Sequence, residues 1–166
     1  MKFKSTSRRF LPNFIRGWLR ANKGIVDMAF DADLSIHEDI KSKYNFDEEL
    51  LNLFVGNEGQ PIHKWHHYIP LYDRYFSRFR DSPVRFLEIG VWKGGSLQMW
   101  RKYFGENAII YGIDSDPECA KLNGLSAQVR IGSQDDPDFL THVIDEMGGV
   151  DVILDDGSHK TKHQIK

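Results

Sequence analysis

The spacing of hydrophobic positions changes character at Pro83. Before it, in "HKWHHYIPLYDRYFSRFRD", Trp65, Ile69, Tyr72, Tyr75, Phe76 and Phe79 recur at helical intervals and predict a broad apolar helix face. Pro70 belongs in a first turn, so the helix is expected to start near it. After Pro83 short apolar runs alternate with amphipathic ones. Strands are predicted over 84–89, 108–113, 128–131 and 150–154, and helices over 95–103, 117–122 and 137–147. Strand–helix alternation of this kind gives right-handed crossovers and a parallel sheet covered by helices on both faces. The fold class is therefore α/β, a Rossmann-like doubly wound parallel sheet with a helical extension before it. The run 150–154 reads as a strand buried on both faces. It stops at Asp155 and Asp156, two carboxylates whose desolvation needs a reason.

Residues 25–82 carry weaker signals and read as a helical cap region, with "NEGQP" at 57–61 as a loop. Residues 1–24 differ. Phe10, Leu11, Phe14, Ile15, Trp18 and Leu19 recur at helical spacing, Pro12 suits a first turn and Gly24 a C-cap. Lys2, Lys4, Arg8, Arg9, Arg16, Arg20 and Lys23 make residues 1–26 carry +7 with no acid, so the remainder carries −9 of a net −2. A basic amphipathic helix of this sort suits a peripheral anionic membrane surface, a transit role, packing on its own domain, or contact with a second copy in a homo-oligomer. The rest of the chain is acidic, which argues against nucleic acid. With 166 residues, 40% of them hydrophobic, the chain has enough for one cored domain. The single cysteine, Cys119, excludes an internal disulfide and suits a reducing, cytoplasmic compartment.

Candidate chemistry gathers at the predicted strand ends, where ligands of such sheets bind. "FLEIGVWKGGS" supplies Gly90, Gly94 and Gly95 for a sharp turn into a helix N-terminus. The spacing is not that of a pyrophosphate cradle. Glu88 before the first glycine would repel a diphosphate and attract a cationic group. The second strand ends at Asp114, whose carboxylate can accept ribose hydroxyls. The third ends in "RIGSQDDPDFL", where Asp135 can read an adenine edge while Asp136 caps the helix opened by Pro137. An adenosine with a cationic end fits these three carboxylates, as S-adenosylmethionine has.

"FLEIGVWKGGS", "YGIDSDP" and "ILDDGSH", with the "KWHHY...YDRYF" stretch before them, resemble class I S-adenosylmethionine-dependent methyltransferases. Within these, residues 61–166 are most similar to metal-dependent sugar O-methyltransferases of the macrocin and mycinamicin type. The resemblance implies a methyl transfer to a small-molecule hydroxyl, with Mg2+ on Asp156, His159 as general base and Asp155 facing the cofactor. It also implies a seven-stranded sheet, of which this chain shows four strands, so that 83–166 reads as an incomplete methyltransferase domain. Ser115 stands where relatives often have an aliphatic residue. Two other readings differ in class: a metal-dependent hydroxylase similar to cephalosporin hydroxylase, and a non-catalytic module working through the basic helix. His63, His66 and His67 have no metal-ligand spacing and are expected at caps, on the surface or at the mouth of the pocket.

Overall fold

The computed structural model describes residues 33–158, 160 and 161. The predicted basic helix and His159 lie outside the described residues. Among the described residues three helices come first: α1 (Ile36–Tyr44), α2 (Glu49–Val55) and α3 (Tyr68–Phe76), the last followed by a 3-10 turn at Ser77–Phe79. Then β1 (Arg85–Ile89), α4 (Gly95–Phe104), β2 (Ile109–Asp114), β3 (Gln128–Ile131), α5 (Pro137–Met147) and β4 (Val152–Asp155) alternate. Pro117–Leu122, expected as an α-helix, forms a 3-10 helix between β2 and β3.

The strands are parallel in the order β3-β2-β1-β4. Chain direction across the sheet therefore reverses between β1 and β4, and such a switch point opens a crevice at the carboxyl ends of the strands. Phe86 and Leu87 show how the two sheet faces are covered. Phe86 packs within 5.3 Å of the Trp100 ring and 5.0 Å of Phe104, in a cluster that also takes Tyr72, Phe76, Ile40, Leu50 and Leu51 from the first three helices. Leu87 faces the other way, against Tyr111, Ile113, Val143 and Met147 of α5.

Two expectations change. The cap region is more ordered in sequence than its composition suggested: Ser35 accepts from the Glu38 amide while the Glu38 side chain returns to the Ser35 amide, a capping box that starts α1. And β4 is not buried on both faces. It is an outer strand of the four, so Ile153 is 51% exposed while its pairing partner Leu87 is covered. Pro70 sits in the first turn of α3, as its missing N–H allows. No helix among the described residues is long and apolar enough to cross a membrane.

Candidate cofactor site

A cavity of about 550 Å³ opens at the carboxyl ends of the strands. Its floor is the turn after β1. Gly90 adopts φ +94°, and a Cβ there would lie 2.5 Å from the Asp156 carbonyl oxygen. The glycine thus lets the β1 and β4 turns close on each other at the switch point. Across the turn, a Cβ on Gly95 would fall 2.3 Å from the Gln60 carbonyl oxygen. Residues 60–64 consequently run over the α4 N-terminus, held there by the Gln60 amide donating to Gln98 Oε1 at 3.1 Å. Pro61, Ile62, His63 and Lys64 form one wall.

Asp114 lies on the cavity wall at the end of β2. Its Oδ2 accepts from the Val91 and Trp92 amides, both at 2.9 Å, and its Oδ1 from the Asp116 amide at 2.9 Å. Burial pushes the pKa of this carboxyl up, but the amides of Asp116, Trp92 and Val91 outweigh it and hold the value below the ordinary one. Asp114 is therefore a fixed, ionised acceptor at the mouth of the glycine turn. The same bonds hold Trp92 at φ +49°, with its ring 55% exposed beside the cavity.

Glu88, expected to meet a ligand directly, is fully buried. Lys64 Nζ donates to its Oε1 at 2.7 Å and the Ser96 hydroxyl to its Oε2 at 2.7 Å. Lys64 also donates to Asp156 Oδ2 at 2.6 Å. Its side chain is 3% exposed. Burial alone would push the ammonium's pKa down, but Glu88 and Asp156 together more than reverse this and hold it above the usual lysine value. Lys64 and Ser96 reach the cavity wall; Glu88 does not.

The remaining expected residues divide. Gly90 and Asp156 line the cavity with Asp114. Gly94, at φ +80°, caps α4 and packs under Leu122, and is not on the wall. Asp135 is off the wall too and takes the Ser133 hydroxyl; Gly132, Ser133 and Gln134 line the cavity there instead. Asp155 is exposed and off the wall, accepting from the Gly157 amide at 3.1 Å and, at 3.4 Å, from Gln134. Gln134 Oε1 in turn accepts from the Ser158 amide at 2.5 Å, tying the β3 turn to the β4 turn. His63 is at the cavity mouth, and His66 binds Asp39 at 3.1 Å.

Lys64, Ser96 and Gln134 were not anticipated. Lys64 is 24 residues from Glu88 and 92 from Asp156, and "HKWHH" reads as solvated surface. Ser96 carried the better clue, since a hydroxyl in the first turn of the helix after β1 lies beside the carboxylate ending that strand.

Residues 87–166 match the model of a methyltransferase domain. The fold of the described residues is accordingly the Rossmann-like methyltransferase fold. Over 107 residues the chain is 44% identical to the 8-demethyl-8-(2-methoxy-alpha-L-rhamnosyl)-tetracenomycin-C 3'-O-methyltransferase of Streptomyces olivaceus, covering 60% of this chain and 27% of that protein. It is 40% identical over 111 residues to the demethylmacrocin O-methyltransferase of Streptomyces fradiae, again 60% of this chain and 27% of the relative. Among solved structures, the MycE methyltransferase of the mycinamycin biosynthetic pathway, in complex with Mg, SAH and mycinamycin VI, superposes with a TM-score of 0.61 at 34% identity. That likeness covers 70% of this chain and 32% of MycE. The chain thus spans between a quarter and a third of the length of the relatives it matches.

Proposed function

We propose that this chain binds S-adenosylmethionine in the cavity at the strand ends and belongs to an enzyme that methylates a hydroxyl of a small natural product, a sugar in particular. The observation that carries the reading is Asp114: an ionised carboxylate locked by three amides beside a glycine turn that lacks a pyrophosphate cradle. Its position suits a ribose hydroxyl, with Gly132, Ser133 and Gln134 beside it for the adenine. Asp135 and Asp155 would act through the Ser133 and Gln134 groups they bind. Gly94 would serve by starting α4, whose N-terminal residues Gly95 and Ser96 line the cavity where a helix N-terminus suits the cofactor's carboxylate. The relatives named above, with their sugar substrates, support the substrate class.

S-adenosylmethionine, when bound, supplies a sulfonium methyl: an O–C bond forms as the C–S bond breaks, and S-adenosylhomocysteine leaves. The chain's task is to hold the acceptor hydroxyl in line and take its proton, which we assign to His159. Magnesium accompanies MycE, but the described residues do not complete such a site. They contain no group of three His, Cys, Asp or Glu side chains placed to hold a metal. Asp156 alone is a poor magnesium ligand set.

The test is calorimetric binding of S-adenosylmethionine to the 166-residue chain and to Asp114→Ala. Saturable binding that weakens at least about tenfold in the variant is expected. A folded parent chain that binds no S-adenosylmethionine would overturn the reading.

A further inference from the structure

Lys64 sets where the cavity can accept positive charge. One ammonium faces two carboxylates, Glu88 and Asp156, so the trio carries a single excess negative charge. Its distribution is uneven. Glu88 is fully buried and both its oxygens are held by Lys64 and Ser96. Asp156 is 30% exposed on its side chain, lies on the cavity wall and gives only Oδ2 to Lys64. The other acid on the wall, Asp114, is ionised and held by three amide donors, and Lys160 also lines the cavity. A cation entering the cavity therefore meets the trio's excess charge at Asp156, not at the buried Glu88.

We propose that Lys64 is a specificity-determining residue: by neutralising Glu88 it leaves the trio's one excess charge at Asp156, which favours a cofactor bearing one positive charge relative to its neutral product. This rests on the S-adenosylmethionine reading above. S-adenosylmethionine and S-adenosylhomocysteine differ by a methyl group and one unit of charge, so the ratio of their affinities reads the field of the trio. Lys64 also holds residues 61–64 over the turn, but a role confined to anchoring would weaken both ligands alike and leave the ratio unchanged.

The experiment measures both dissociation constants by calorimetry in EDTA, so that no divalent ion competes for Asp156. Asp156→Asn removes the excess charge, and the preference for S-adenosylmethionine should fall about five- to tenfold. Lys64→Met doubles the excess and should raise the preference by a similar factor. Lys64→Met combined with Glu88→Gln restores one excess charge and should return the ratio to the parental value. Where Lys64→Met alone does not fold, Asp156→Asn and the double variant decide. A folded Asp156→Asn whose ratio stays within about twofold of the parent overturns the proposal. If the parent binds neither compound, it is the cofactor reading that has failed.

Discussion

Gly90 and Asp156 close the switch point by direct approach: a Cβ on Gly90 would stand 2.5 Å from the Asp156 carbonyl oxygen and 2.8 Å from Gly157 Cα. Both contacts are with backbone, which cannot rotate away. Gly90→Ala must also place a side chain at φ +94°. The conformational cost is about 1–2 kcal/mol and the overpacking adds about 1–3 kcal/mol. Gly124 separates the two contributions, since it has φ +81° with nothing within 4 Å of an added Cβ. Gly124→Ala should cost about 1 kcal/mol in urea melts. Gly90→Ala should cost about 2–5 kcal/mol and abolish cofactor binding. Equal losses for the two variants would show that the β1 and β4 turns separate freely.

The sequence showed the frame of this site more fully than its wiring. Strand ends are legible because apolar runs stop where glycine and aspartate begin, which placed Asp114 and Gly90 correctly at the sheet's carboxyl edge. Partnership is a different matter. Glu88 looks like a ligand carboxylate until Lys64, from a loop with no periodicity, is seen to reach it. Likewise Asp155 and Asp156 are adjacent in sequence, yet Asp155 ends β4 and Asp156 begins the turn beyond it. One lines the cavity; the other is exposed. The burial of 150–154 was misread for a related reason. An apolar run records a capacity to be covered, and Ile153 on this outer strand of the four is 51% exposed among the described residues.

At the opposite end of the same strand pair, Arg85 and Asp151 tie β1 to β4. Asp151 accepts from the Arg85 amide at 2.8 Å, Nε at 3.0 Å and Nη2 at 2.9 Å. The Arg85 side chain, then its amide, hold the Asp151 pKa down at about 2, against an ordinary value of 3.8. Because the folded value is depressed, the contribution to stability is complete above about pH 4 and is lost as pH falls toward 2. Other carboxylates titrate in the same range, so the comparison is with Asp151→Asn. The urea midpoints of parent and variant should differ at pH 5 and draw closer as pH falls toward 2. A difference that stays constant across this window would show that the pair does not contribute through its charge.

Cys119 tests the surroundings of Asp114 by a chemical route. The thiol is 3% exposed, and its Sγ donates to the Trp92 carbonyl at 3.2 Å. Burial first, then the nearby Asp114 charge, push its pKa up to about 11. At pH 8 about one molecule in a thousand then carries the thiolate that alkylating agents require. Iodoacetamide should leave the native chain unlabelled over hours and label it fully in urea. Asp114→Asn removes the negative charge that opposes the thiolate, so the variant should react several-fold faster while its urea midpoint reports that it is still folded. Equal native rates in parent and variant would mean that access, not the Asp114 charge, controls the thiol. Rapid labelling of the native parent would contradict the packing of the 3-10 helix against the turn after β1.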